Sequence, residues 1–212
     1  IYGTPGLLAK APQLQINSVA IRPDGLMATA GHDGAIRMWE PGGQTKSVLI
    51  GHQAFVSSLA FSPDGQRLAS SSSDHTVRVW RTDGKNVAPL VLSDHKDVVH
   101  EVLWSPDGRW LASNSQDGAI RFWSPDGTAG PMLAKHHNSG SALRFRPGTW
   151  ILSWKDYVPR PGEPDRANAI VRTWDLKTKT EGSSFDQPIE IYDYAWSPDG
   201  NDLLIAGHYG RM

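Results

Sequence analysis

The sequence predicts an all-β fold, a β-propeller built from four-stranded antiparallel blades. Two series of motifs repeat along the chain, one around a Pro-Gly turn (IRPDG, FSPDG, WSPDG, FRPG, WSPDG) and one ending in Trp (AIRMW, TVRVW, AIRFW, IVRTW). Successive motifs lie roughly 40 to 50 residues apart, and no stretch has helical periodicity. A fixed period of about that length, filled with short strands, is typical of propeller blades. A β-sandwich of irregular strands is the alternative, which the regular period disfavours.

The second unit shows why each repeat should contain four strands. Its apolar and β-branched runs are separated by residues that favour turns, because Pro fixes φ and Gly tolerates positive φ. In chain order the unit reads as a strand FVSSLAF, the turn Pro63-Asp64-Gly65, a strand RLASSS, the corner Ser73-Asp74-His75, a strand TVRVW, the turn Asp83-Gly84 and a strand APLVL.

Composition narrows the possible functions. The chain has 212 residues, a net charge of -1 and 39% hydrophobic residues, which suffices for a substantial core. A near-neutral charge gives no electrostatic reason to expect nucleic acid or a membrane surface as partner. The absence of Cys excludes disulfides and a Cys nucleophile within the chain. We therefore expect a cytoplasmic protein.

A quartet of polar residues recurs at constant spacing, and Ser, His and Asp within it could suggest a hydrolytic triad. The first unit has only three of its members, because Pro12 stands where the His should be. Repetition in consecutive units favours architecture over catalysis, since a triad is a single constellation with an exposed nucleophile. A corner Asp needs donors once it is buried, and His, hydroxyl and indole N–H groups can supply them. The sets are His52, Ser70, Asp74, Trp80; His95, Ser113, Asp117, Trp123; and Thr29, Asp33, Trp39.

These motifs resemble the WD-repeat family over essentially the whole chain. The markers are Gly51-His52, FSPDG, LAS-x-S-x-D and VRVW, although the literal dipeptide occurs only as Trp174-Asp175. The resemblance implies that the quartets are structural tetrads and that the protein is a non-catalytic scaffold for a protein or peptide partner, with no cofactor or metal. The PDG-rich repeats look more like the bacterial members, which implies a fused signalling domain in a longer chain.

Units four and five depart from the pattern. Alignment places His136 and Ser153 in the His and Ser positions of unit four, with Tyr157 at the Asp position and Asp156 beside it. We expect an internal slice of a propeller of about seven blades; alternatively, residues 3–11 complete the last blade and close a ring of five. The predicted units are an outer strand of a preceding blade at 1–11, blades at 12–51, 52–94, 95–135 and 136–186, and an incomplete blade at 187–212.

Partner-binding residues follow from the resemblance, which places binding at the top face and the central channel. Carried over by register, the positions are Asn17, Phe55, Ser57, Val98, His100, Ser141, Glu190 and Tyr192. Residues preceding each corner Asp, His32 among them, add to this face.

The insertion at 155–168 is predicted to be a proline-rich loop that contributes to specificity, or else a tolerated surface insertion. Its candidate residues are Lys155, Asp156, Tyr157, Arg160 and Arg166. Two further hypotheses stay open, a hydrolase-type site in the channel using His100 and Glu190, and a docking site for nucleic acid. The Arg two residues before each closing Trp recurs at a framework position, so we expect it to pair within its blade.

Overall fold

The computed structural model describes residues 15–85, 87–134, 142–160, 163–187 and 190–208, with backbone alone at 134, 159–160, 163–167, 187, 190 and 208. All regular secondary structure in these ranges is β-strand. The strands are β1 (Ile16–Ile21), β2 (Met27–Gly31), β3 (Ile36–Trp39), β4 (Thr45–Leu49), β5 (Val56–Phe61), β6 (Arg67–Ser72), β7 (Val77–Arg81), β8 (Leu90–Leu92), β9 (Val99–Trp104), β10 (Leu111–Ser115), β11 (Ala119–Trp123), β12 (Ala129–Ala134), β13 (Arg144–Phe145), β14 (Ile151–Arg160), β15 (Glu163–Asp175), β16 (Thr180–Glu181), β17 (Phe185–Gln187), β18 (Glu190–Trp196) and β19 (Leu203–His208).

Neighbouring strands pair antiparallel in chain order and form one sheet per unit. Blades 1, 2 and 3 are four-stranded sheets made of β1–β4, β5–β8 and β9–β12. Blade 4 contains β13–β16 with β17 added to β15, and the described part of blade 5 is the pair β18–β19. These sheets confirm the predicted all-β blades.

The Ser-Pro-Asp-Gly turns between the first two strands of a blade are held by their own side chains. In blade 2 the amide of Gly65 donates to the carbonyl of Ser62 at 2.8 Å, and Gly65 has φ 68°, in the left-handed region that favours Gly. Asp64 accepts hydrogen bonds from Ser62 Oγ at 2.5 Å and from the amide of Gln66 at 3.0 Å. The turn therefore sets the direction of the second strand from local sequence alone.

Hydrophobic clusters lie between consecutive blades. Small side chains on one blade, such as Ala69, pack against large ones on the next, such as Trp104 and Trp123. The face of blade 1 that does not pack against blade 2 is exposed in the described part of the chain. On this face Ile16, Val19 and Ile21 are 46%, 55% and 65% exposed. By register they correspond to the buried Val99, Val102 and Trp104 of blade 3.

The insertion at 155–168 is not a loop, which corrects the prediction. Its residues continue β14 and β15, which pair from Ile151↔Asp175 to Arg160↔Glu163. Inserted residues on both sides of the corner extend the same hairpin, so most backbone N–H and C=O groups find partners across the ladder. Of the candidate residues there, Arg160 and Arg166 have side chains outside the described part.

Candidate partner-binding face

The blade 2 quartet forms one connected hydrogen-bond network. His52 bonds through Nδ1 to Asp74 Oδ2 at 2.8 Å and through Nε2 to Ser70 Oγ at 2.7 Å. Trp80 Nε1 donates to the same Ser70 oxygen at 2.8 Å. Asp74 also accepts the Gln53 amide at 3.0 Å. The corner is therefore tied to the loop that precedes the first strand of the blade, which is called the inner strand below.

Blade 3 repeats this network, and blade 1 has its shorter form. His95 bonds to Asp117 at 3.0 Å and to Ser113 at 2.8 Å, while Trp123 donates to Ser113 at 3.0 Å. In blade 1, Trp39 Nε1 donates to Thr29 Oγ1 at 2.9 Å. Asp33 pairs with Arg37 at 2.6 Å.

The burial of the tetrad serines and the lowered pKa values of the tetrad aspartates indicate that the tetrads are structural. Ser70 and Ser113 are fully buried, so neither hydroxyl can meet a substrate. Burial opposes ionisation of Asp117, yet hydrogen bonds from the Lys96 amide and from His95 lower its pKa to about 2. The pKa of Asp74 is held well below its usual range in the same way, against burial, by His52 and Thr76.

Blade 4 has a different register from the one that alignment predicts. Ser70 and Ser113 lie opposite Arg78 and Arg121, but the residue opposite Arg172 is Trp154, and Ser153 lies opposite Thr173. The turn after Phe145 is as long as the turn after Phe61, because Phe145 pairs with Leu152 as Phe61 pairs with Leu68, so Trp154 stands at the position of Ser70. Ser153 is one residue earlier, and its side chain therefore lies on the other face of the strand. Trp174 Nε1 is consequently buried without a hydrogen-bond partner.

Ser153 instead joins blade 4 to blade 5. Its Oγ accepts hydrogen bonds from Tyr194 Oη at 3.1 Å and from Trp196 Nε1 at 2.9 Å. Tyr194 Oη also lies 2.7 Å from the carbonyl oxygen of Ala142. Burial raises the pKa of Tyr194, so its hydroxyl stays protonated and can donate. Asp156 keeps the role of a buried acid in blade 4, where it pairs with Arg172 Nε at 2.7 Å.

A β-bulge recurs at one position of the inner strand in four blades. The bulged residues are Asn17, Ser57, His100 and Tyr192, and four of the predicted partner-binding positions therefore share one backbone feature. A bulge re-aims the side chain of the extra residue. Tyr192 is 61% exposed, whereas Ser57 Oγ and His100 Nε2 are buried without a partner.

Phe55 and Val98 lie against the corners of their blades. The carbonyl of Phe55 accepts the amide of Ser73 at 3.1 Å, and that of Val98 accepts the amide of Gln116 at 2.9 Å. Phe55 is 38% exposed, and its ring stacks on His32 of blade 1 at a centroid distance of 5.3 Å. Ser141 and the side chain of Glu190 lie outside the described residues.

In the hairpin, Lys155 reaches back to blade 5 instead of projecting outward. Its Nζ donates to the carbonyl of Ile191 at 3.1 Å and lies 5.7 Å from the ring centroid of Tyr157. Asp156 is buried. These three predicted specificity residues therefore support the hairpin and its neighbour.

A charged chain across three inner strands was missed by the sequence analysis. Glu101 accepts the amide of Leu143 at 2.7 Å and Arg144 Nη1 at 3.0 Å. Arg144 Nη2 lies 3.6 Å from Asp193 Oδ1. Burial raises the pKa of Glu101. Glu101 and Asp193 both stand three residues before the Trp that ends the strand, and this repeated acid was the available signal.

The opposite end of blades 1 and 2 holds a cavity of about 400 Å³. Its wall includes Arg22, Lys46 and Arg81, whose charges are paired with Asp24, Glu40 and Asp83. Among the described residues no cluster of His, Asp and Glu could hold a metal ion. The same part of the chain contains no helix long and apolar enough to cross a membrane.

Repeated four-stranded blades with buried tetrads define a propeller of the WD-repeat class. The family model "WD domain, G-beta repeat" matches residues 8–40, 43–81 and 88–124, which together make up just over half of the chain. The chain belongs to this family.

Curated relatives are similar over shorter segments. The chain is 46% identical over 54 residues to the nuclear distribution protein PAC1 of Gibberella zeae, covering 26% of this chain and 12% of that protein. It is 37% identical over 89 residues to the mouse nucleoporin Nup37, covering 40% and 27%. It is 38% identical over 66 residues to ribosome assembly protein 4 of Saccharomyces cerevisiae, covering 30% and 13%. The matched segments thus span about a quarter or less of these relatives, all of them eukaryotic.

Proposed function

We propose that this protein is a non-catalytic scaffold that binds a partner protein or peptide at the end of the blades that carries the corners and the inner-strand bulges. The recurring bulge is the observation that carries the proposal, because it presents a different side chain to one region from each of blades 1, 2, 3 and 5. Phe55 and Tyr192 supply exposed aromatic area, the residue class that most often anchors protein interfaces.

The family and the named relatives support a role in protein complexes. The relatives are named for nuclear distribution, for a nucleoporin and for ribosome assembly. A scaffold role in a protein complex is consistent with each of these names. A cytoplasmic location and fusion to a signalling domain remain predictions from the sequence.

Among the channel residues whose side chains the structure describes, the hydrolase alternative has no serine in contact with a base. Ser57 Oγ and His100 Nε2 are each buried and each without a hydrogen-bond partner. An activated serine needs a base within hydrogen-bond reach. The tetrad serines have such a base but are fully buried.

We further propose that blade 1 packs against another blade of the same kind. Its open face carries Ile16, Val19 and Ile21 at positions that are buried between blades 2 and 3. A sheet that offers small residues, as Ala60 and Ala69 do toward blade 3, would cover these side chains. This proposal agrees with the prediction that the chain is an internal slice of a larger propeller. That the neighbour is a blade of the same kind is itself proposed.

Site-specific photo-cross-linking tests the scaffold proposal. We would place a benzophenone amino acid at Phe55 or Tyr192, with Val91 as control because it is 44% exposed on an outer strand. In extract of cells that express the protein, we expect the same discrete adduct from Phe55 and Tyr192, competed by unlabelled protein and not by its Phe55→Ala variant. Equal adduct formation from Val91 would contradict the proposed face. Labelling of Ser57 by a fluorophosphonate would instead favour the hydrolase.

A further inference from the structure

The framework arginines of the four blades are not equivalent. Each stands two residues before the closing Trp, and three of them pair with an Asp of their own blade. The distances between the paired atoms are 2.6 Å for Arg37–Asp33, 2.8 Å for Arg121–Asp117 and 2.7 Å for Arg172–Asp156. Arg78 is the exception, although Asp74 stands four residues before it as Asp33 and Asp117 do before theirs.

Thr76 explains why Arg78 is excluded. Its hydroxyl donates to Asp74 Oδ1 at 2.6 Å, and its amide donates to the same oxygen at 3.0 Å. In blade 3, Arg121 Nη1 binds Asp117 Oδ2 and lies 2.7 Å from His95 Nδ1. Thr76 Oγ1 lies 3.4 Å from the equivalent His52 Nδ1, so it occupies the place that the guanidinium takes in blade 3. Blades 1 and 3 have Ala35 and Ala119 at this position, so no hydroxyl competes with the arginine there.

The displaced guanidinium is left without an acidic partner in the described part of the chain. Its Nε is buried and makes no hydrogen bond. Nη1 lies under the loop before the inner strand, 2.6 Å from where a Cβ on Gly51 would stand. A buried donor without an acceptor is destabilising, and more so when it is charged. Such a group calls for an anion or ordered solvent.

We propose that Arg78 and the Gly51 loop form an anion-binding subsite on blade 2, which takes the carboxylate of an acidic side chain of the partner. A guanidinium offers parallel N–H donors that match both carboxylate oxygens. Ile50, next to Gly51, is 78% exposed and provides apolar contact for the same segment of the partner. As a partner contact the subsite rests on the proposed scaffold function, whereas anion binding by Arg78 does not.

NMR of the arginine Nε–Hε groups tests this subsite with acetate as the probe. Acetate is titrated against chloride at constant ionic strength, and Arg37, Arg121 and Arg172 serve as internal controls because their acids already occupy them. We expect the Arg78 signal to shift several-fold more than the three controls and to saturate. Equal shifts at all four, or none at Arg78, would overturn the proposal.

Variants at Thr76 give a control that leaves Arg78 in place. Thr76→Ala recreates the arrangement of blade 3, so Arg78 should pair with Asp74 and lose its response to acetate. Thr76→Ser keeps the hydroxyl and should keep the response, while Arg78→Gln should remove the signal with the fold retained. A full response in Thr76→Ala would contradict the role assigned to the Thr76 side chain.

Two outcomes distinguish the carboxylate subsite from a phosphate site and from the scaffold proposal. A selective response to inorganic phosphate that exceeds the response to acetate would overturn the carboxylate assignment. An unchanged acetate response in a protein whose Phe55 and Tyr192 cross-links fail would refute the scaffold and leave the anion site standing. Normal cross-links in a protein whose Arg78 does not respond to acetate would refute the subsite and leave the scaffold proposal unaffected.

Discussion

Removing the hydroxyl of Ser70 should destabilise the protein far more than removing the one beside it. Ser70 Oγ accepts Trp80 Nε1 at 2.8 Å and bonds His52 Nε2 at 2.7 Å, and both partners are buried. Ser70→Ala leaves two buried polar groups unsatisfied, each costing about 1 to 3 kcal/mol. We therefore expect the free energy of unfolding to fall by about 2 to 6 kcal/mol, a large part of a typical total of about 5 to 15 kcal/mol.

Ser71 provides the matched control. It is also fully buried, but its Oγ has no hydrogen-bond partner. Ser71→Ala should therefore change the free energy of unfolding by less than about 1 kcal/mol, or raise it. Ser70→Thr retains the hydroxyl and resembles blade 1, where Thr29 accepts the indole of Trp39, so its cost should be small.

Urea unfolding followed by tryptophan fluorescence measures these differences. Transition midpoints should rank wild type and Ser71→Ala together, Ser70→Thr slightly lower and Ser70→Ala lowest. Equal midpoints for Ser70→Ala and Ser71→Ala would refute the view that the tetrad, and not burial of a small side chain, stabilises the blade.

Three further predictions concern blades 3 to 5. Ser153→Ala should lower the free energy of unfolding by about 1 to 3 kcal/mol, because Trp196 Nε1 loses its acceptor while Tyr194 keeps the carbonyl of Ala142, and hydrogen exchange should speed up selectively in β18; exchange that rises equally in blade 1 would argue against a local junction. Arg172→Ala should cost about 3 kcal/mol, because the buried carboxylate of Asp156 loses its ion pair with Arg172, which denaturant midpoints can check. The pKa of Asp117 is lowered from 3.8 to about 2, so its stabilising effect is present above about pH 4 and lost as the pH falls toward 2. Asp117→Asn should flatten this part of the stability-against-pH curve, and an unchanged slope would contradict the assignment.

The sequence alone predicted the features that depend on local spacing. A Ser-Pro-Asp-Gly turn is closed by its own side chains and backbone, so its effect on Ser62–Gly65 does not depend on distant residues. The tetrads were equally readable, because His52, Ser70, Asp74 and Trp80 recur at the same spacing as His95, Ser113, Asp117 and Trp123. A pattern that repeats removes the ambiguity that each residue has alone.

Only the tertiary structure decided the features in which a blade departs from the repeat. The pairing of Phe145 with Leu152 puts Ser153 on the opposite face, where its partners are Tyr194 and Trp196, 41 and 43 residues further along the chain. Ladder pairing turned the predicted insertion loop into a hairpin. The side chain of Thr76 occupies the place beside Asp74 and His52 that Arg78 would otherwise take. Each outcome depends on which groups meet in space, and those contacts leave no spacing signal in the sequence.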